Sequence, residues 1–319
     1  MMMQRSWLFV PGDSERKLTR AATCGADVVV VDLEDAVAPE AKGAARLQAV
    51  RWLNAHRQQV LAGQAMGRWV RINSLESNLW REDLATVLAG QPDGIMVPKV
   101  RGPDHLRMVA GELYELEQRH GLAPNTIRLV PMVGETAASA LNIPAFANEE
   151  LPRLAGITWG AQDLAAAIGA TRMRLPAKVP AKGKAAAAGA GMGGAGMGGA
   201  GEWTDTFRLV RSQALLAAHA RKGVALETPY ADFADLAGLQ AMAEAARADG
   251  FTGMLAIHPD QVPIINQAFT PSEADAAQAR AIVNLFAANP GAGALAMDGR
   301  MVEQPHLDQA RRLLESLRV

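Results

Sequence analysis

Eight short apolar runs, each followed by polar residues and then helix-forming sequence, constrain this chain more than any other feature. They occupy 7–10, 28–31, 69–72, 95–97, 129–133, 156–159, 224–226 and 254–257. Their side chains are almost continuously Val, Ile, Leu and Met. A strand wetted on one face alternates apolar with polar, whereas a parallel strand covered on both faces has no reason to. Helix-period segments lie between them at 14–24, 44–56, 104–120, 206–222 and 236–248. Such alternation implies parallel βαβ units, and eight strands is the number that closes a (βα)8 TIM barrel. A doubly wound open sheet is the rival, but no glycine fingerprint for a dinucleotide follows the early strands. The barrel is therefore expected over 1–271. An extension of two helices, 272–288 and 306–317, is expected over 272–319.

One stretch cannot belong to a packed core. Residues 176–201 read PAKVPAKGKAAAAGAGMGGAGMGGAG, too rich in glycine for a helix and too poor in side chains to bury. It reads as a surface loop inserted in the barrel domain, with a lid over the site as the alternative.

Composition narrows the partners. Thirty-two basic residues against 33 acidic ones leave a formal charge of −1, so no global field draws the chain to nucleic acid or to a membrane. Cys24 is the single cysteine, which excludes an internal disulfide and fits a reducing cytosol. It is expected to pack in a helix, because no neighbouring base would activate it. The run at 7–10 is too short for a signal peptide, and no stretch reaches the ~18 apolar residues of a membrane span. The expectation is a soluble, cytoplasmic protein.

Barrel chemistry gathers at the carboxyl ends of the strands, and there the polar residues cluster. The runs end in Pro11-Gly12-Asp13-Ser14, Asp32-Leu33-Glu34-Asp35, Arg71 with Asn73, and Pro98-Lys99. The later four end in Gly134-Glu135-Thr136, Gly160-Ala161-Gln162-Asp163, Glu227-Thr228-Pro229-Tyr230 and His258-Pro259-Asp260-Gln261. Glu135 and Asp163 follow consecutive strands, and two carboxylates without His or Cys suit a hard cation, Mg²⁺ or Mn²⁺. Helix capping is the competing role for both. Arg71 could grip a substrate carboxylate through its fork, or neutralise the acids at 32–35. Within that run Asp32 and Asp35 could bond loop amides, with Glu34 facing metal-bound water. His258 reads as a loop residue more readily than as a base.

Taken together, these motifs resemble the citrate lyase beta subunit and malyl-CoA lyase family, within the HpcH/HpaI aldolase group. The likeness rests on RSWLFVPGDSERKLTRA, GADVVVVDLEDAVAPEAKGAAR, VRINS, GIMVPKV, PMVGETAASALNI, GAQDLAAAIGA, GFTGMLAIHPDQVPIINQAFTPS and MDGRMVEQPHLDQARRLL, in the family's order. It implies a Mg²⁺-dependent lyase that cleaves or forms a 3-hydroxyacyl-CoA thioester, such as malyl-CoA, citramalyl-CoA or citryl-CoA. The products of cleavage would be acetyl-CoA and a 2-oxo acid. Arg71 would bind the oxo-acid carboxylate, Glu135 and Asp163 the ion, and Phe9, Arg16 and Arg20 the coenzyme. The family's C-terminal motif appears as Asp298-Gly299-Arg300, and Asp298 would serve as acid/base in a neighbouring subunit's site, within a homotrimer or homohexamer. Other activities in the group are a citryl lyase subunit working on an acyl carrier protein, a coenzyme-independent aldolase of 4-hydroxy-2-oxo acids, and a thioesterase. The strand-seven motif usually carries aspartate where this chain has Glu227, a change expected to reshape the loop near the thioester.

Overall fold

A computed structural model describes residues 4–57, 66–175 and 201–317. All eight apolar runs are strands: β1 (Ser6–Pro11), β2 (Val28–Asp32), β3 (Gly67–Arg71), β4 (Gly94–Val97), β5 (Arg128–Val133), β6 (Gly156–Trp159), β7 (Val224–Glu227) and β8 (Gly253–Ala256). They pair in parallel in sequence order, and β1 closes on β8. Every residue of β2 is buried, as expected of a strand with helices outside and the barrel interior within. Helices stand at each of the segments read as helical, with ends displaced by a few residues. The loop read at 176–201 lies, except for Gly201, outside the described residues.

Register decides which residues look inward. Trp7, Val28, Val30, Trp69, Met96, Val130, Met132, Leu226 and Leu255 pack as one cluster, with Phe9 against it. The rings of Trp7 and Trp69 lie 4.8 Å apart. A Cβ on Gly94 would come within 2.4 Å of the Trp69 ring, so glycine at the start of β4 makes room for the indole. Above this layer Asp32 pairs in register with Arg71, and Arg71 with Met96. The same alternation that builds the core therefore delivers an acid and a base to the mouth.

The same parity turns Glu227 outward, next to the inward Leu226. Its carboxylate is fully buried and accepts bonds from Trp159 Nε1 (2.8 Å), Arg211 Nε (2.5 Å) and the amide of Thr228 (2.9 Å). Arg211 stands on the outer helix Asp205–Ala220 and also reaches Asp249 at 2.8 Å. Glu227 therefore braces the start of the loop after β7 from behind, through the Thr228 amide.

Contacts divide the chain into two compact units, Gln4–Gln267 and one beginning at Ala268. The second holds the two expected helices, Glu273–Ala288 and Gln304–Ser316, and a hairpin the sequence reading did not foresee. Its strands, β9 (Ala294–Met297) and β10 (Arg300–Glu303), pair antiparallel. Asp298 and Gly299 connect them at φ +50° and +73°, as a two-residue turn with both central residues left-handed requires. Ala279, Ile282, Phe286, Val302, Leu307 and Ala310 form this unit's core.

Candidate active site

The strand ends surround a cavity of about 510 Å³ lined by Phe9, Arg16, Arg20, Arg71, Met132 and Asp163, among others. Glu34 and Glu135 stand behind that surface, 4% and 2% exposed. The barrel thus gathers at one mouth every site residue the sequence analysis placed in it. Asp298 belongs to the C-terminal unit, where it is exposed at the hairpin tip.

Asp32 organises the floor. Its Oδ1 accepts from the amide of Glu34 (2.9 Å) and from Arg71 Nε (2.7 Å), and its Oδ2 from Arg71 Nη2 (2.6 Å) and the amide of Ala36 (3.3 Å). Asp32 thus bonds loop amides as expected, and Arg71 neutralises the acids of the 32–35 run. The carboxylate bonds loop amides and clamps the guanidinium. Arg71 also approaches Glu34 Oε2 at 3.1 Å and lies over the ring of Phe9, 4.7 Å from its centre. Burial works against its charge, but the field and hydrogen bonds of Asp32, with Glu34 and Glu135 behind, hold it above even the usual arginine range.

Glu135 is placed by two glycines. Gly134 sits at φ +71°, and a Cβ on it would meet Val210 at 2.5 Å. A Cβ on Gly160 would meet Glu135 Cγ at 2.4 Å and Oε1 at 2.9 Å, so the carboxylate occupies the space that glycine leaves. Its Oε2 accepts the amide of Lys99. Its Oε1 is buried and has no hydrogen-bond partner among the described residues. Burial, reinforced by the charges of Asp163 and Glu34, pushes the Glu135 carboxyl well above the usual carboxylate range. Helix capping falls away for this residue: Thr136 is the cap of Ala137–Leu141, in a reciprocal box with Ser139. Asp163 lies in the first turn of Ala161–Ile168, whose cap is Gly160. Its charge there is favoured by the helix dipole and leaves the carboxylate available to the cavity it lines.

Lys99, to which no sequence motif assigns a role, is the residue that joins these groups. Its ammonium lies 2.9 Å from Glu34 Oε1, 3.0 Å from Asp35 Oδ2 and 3.9 Å from Asp163 Oδ1. Burial opposes its charge, but Glu34 and Asp35 outweigh that and raise it above the usual lysine range. Burial likewise raises Glu34, against the pull of Arg71 and Lys99. Lys42 donates to the carbonyls of Leu33 and Glu34, both at 2.6 Å, and fastens the loop from beneath. The available signal for Lys99 was a cation directly after a strand, on the barrel face where acids gather.

The remaining candidates are loop residues: His258 follows β8, and Cys24, expected in a helix, lies half-buried in the turn beyond the helix Glu15–Ala21, which ends before reaching it. His258 Nδ1 accepts from the amide of Asp260 at 3.3 Å, and its ring stacks on Phe233. Cys24 donates to the carbonyl of Ala21 at 3.2 Å. Among the described residues no helix is long and apolar enough to cross a membrane.

The carboxylates fit a hard divalent cation. An unpartnered buried oxygen on Glu135 lies against Gly160, the cap of the helix that carries Asp163, and neither acid has a nitrogen or sulfur companion that would favour a softer metal. Among the described residues no three His, Cys, Asp or Glu side chains form a cage. A donor set of two carboxylates leaves the other positions to water and substrate oxygens, the habit of Mg²⁺.

Comparison with known proteins agrees with this geometry. Residues 5–259 match the family model described as HpcH/HpaI aldolase/citrate lyase. The human mitochondrial citramalyl-CoA lyase is 31% identical over 320 residues, spanning 97% of this chain and 84% of that protein. A (3S)-malyl-CoA thioesterase of Cereibacter sphaeroides is 33% identical over 312 residues, spanning 97% and 93%. Among solved structures, the protein CitE of Mycobacterium tuberculosis in complex with magnesium, acetoacetate and coenzyme A superposes with a TM-score of 0.71. It shares 31% identity and covers 99% of each chain.

Proposed function

Because the chain belongs to the HpcH/HpaI aldolase/citrate lyase family, we propose that it is a Mg²⁺-dependent carbon–carbon lyase acting on a 3-hydroxyacyl-CoA thioester. The reading is carried by one observation: the buried, unpartnered oxygen of Glu135 beside Asp163, at a cavity that also presents the Arg71 guanidinium. Glu135 and Asp163 would hold the ion, and Mn²⁺ would serve in its place. When bound, Mg²⁺ supplies Lewis acidity to the oxygens of the substrate.

The protein's own groups do the rest. Arg71, immobilised by Asp32 and Phe9, holds the carboxylate that becomes part of the 2-oxo acid, and so fixes the reacting carbon. Glu34 holds water beside the ion. Phe9, Arg16 and Arg20 line the cavity and take the coenzyme, whose phosphates suit the two guanidinium groups. The substrate hydroxyl gives its proton to the carboxylate of Asp298 from a neighbouring copy and becomes the carbonyl of the 2-oxo acid. The C2–C3 bond breaks, and its electron pair stays on C2, the carbon next to the thioester carbonyl, as the thioester enolate. Asp298 of a neighbouring copy then delivers a proton to that carbon, giving acetyl-CoA. Its exposure at a hairpin tip supports this assignment, which requires a homotrimer, homohexamer or similar assembly.

The test is a screen of malyl-CoA, citramalyl-CoA and citryl-CoA with Mg²⁺, reading acetyl-CoA and 2-oxo acid together. Equal amounts of the two support the lyase. The thioesterase named among the relatives favours a second reading, and release of free coenzyme A from malyl-CoA without a 2-oxo acid would establish it. Mixing Asp298→Ala with Glu135→Ala protein tests the shared site: activity returns in the mixture only if one copy completes another's centre.

A further inference from the structure

Lys99 occupies a backbone position that a lysine adopts at a cost. It sits at φ +51°, in the left-handed region, where a Cβ crowds the following carbonyl oxygen. Two groups of the site hold it there. Its amide donates to Glu135 Oε2, and its ammonium is anchored on Glu34 and Asp35 at 2.9 and 3.0 Å. From that anchorage the same ammonium reaches to 3.9 Å from Asp163 Oδ1, long for an ion pair yet inside the range of a strong charge–charge interaction. One strained residue therefore touches both carboxylates assigned to the ion: Glu135 through its main chain and Asp163 through its charge.

Resting on that assignment, we infer that Lys99 is a tethered rival of the divalent cation, whose ammonium sets how tightly Glu135 and Asp163 hold the metal. With the ion absent, the ammonium supplies part of the positive charge that Asp163 and Glu34 require. When the ion arrives, Glu34 and Asp35 offer the ammonium a place to withdraw to, so the lysine loses no partner by yielding Asp163. Weak, reversible metal binding is the consequence, and the metal's own affinity is the quantity to measure.

The experiment titrates Mn²⁺ into chelator-treated protein and follows free ion by electron paramagnetic resonance, without substrate. Lys99→Met removes the charge and keeps the stem. Lys99→Gly removes the charge and also relieves the φ +51° backbone, so it guards against a variant that merely folds poorly. Lys99→Arg keeps the charge. The expected result is Mn²⁺ dissociation constants lower by about tenfold or more for Met and Gly, the effect of deleting a unit charge ~4 Å from a ligand oxygen. The Arg variant should stay within about threefold of the original. Unchanged or weaker binding in both Met and Gly variants would overturn the inference, as would equal tightening in the Arg variant. Failure of the unaltered protein to bind Mn²⁺ at all would instead remove the metal reading on which it rests.

Discussion

The two ends of the barrel handle charge in opposite ways. At the end where the strands begin, acids and bases meet one to one. Arg5 holds Asp27 at 2.8 Å, Arg68 holds Asp93 at 2.8 Å, and Arg153 grips Glu117 with two bonds of 2.7 Å. Glu117 overcomes its burial through Arg153 and the amides of Ile127 and Asn125, which together draw its carboxyl below the usual range. At the mouth, Asp32, Glu34, Asp35, Glu135 and Asp163 crowd around Arg71 and Lys99, and burial drives Glu34 and Glu135 upward. One end is compensated by the chain itself. The other is left short of positive charge, as suits a place where a cation is to come and go.

That difference can be broken experimentally. The largest effect expected is catalytic: Arg71→Met or Glu135→Gln should lower kcat/KM on the responsive thioester by about a thousandfold, the scale of losing a fixed charge-stabilising group. Activity within tenfold of the original would take both residues out of the chemistry. Next comes Glu117→Gln, which leaves Arg153 buried without its counter-charge and should cost about 3–5 kcal/mol in urea unfolding. Glu135→Gln should do the reverse in metal-free protein. It removes a carboxylate that folding disfavours, so the unfolding midpoint should rise at neutral pH. A fall at both positions would mean the two ends are alike.

The smallest effect is a pair of slopes in pH. Glu117 is lowered on folding, so its contribution is present above about pH 4.5 and fades as the pH falls through its folded value. Glu34 and Glu135 are raised, so theirs is present below about pH 4.5 and fades as the pH rises toward their folded values. Metal-free protein should therefore lose stability on both sides of a mildly acidic optimum. Saturating Mg²⁺ should abolish only the alkaline-side loss, and a loss that ignores Mg²⁺ would detach it from the mouth.

Much of this was legible in the residues. The strands stood out because a parallel strand between two apolar layers writes an uninterrupted apolar run. Glu135, Asp163 and Arg71 stood out because each is a charge at the end of such a run or within four residues of it. The hairpin at 294–303 escaped because its strands are short and half exposed, which leaves little periodicity; its one plain signal was Asp298-Gly299, already claimed as a motif. Lys99 escaped because nothing in a sequence says where a long, flexible side chain lays its charge. Glu227 was within reach: counting inward and outward positions along β7 from Leu226 places it behind the strand.

Gly160 carries a consequence for how such a site changes over generations. Glu135 fills the volume where residue 160 would place its first side-chain carbon, so even alanine there would push the carboxylate out of position with every charged group intact. The site can be silenced by one methyl group far more easily than it can be redesigned. Any variant that keeps the Glu135 carboxylate where it stands must keep that small absence, whatever changes at the cavity wall around Arg16 and Arg20.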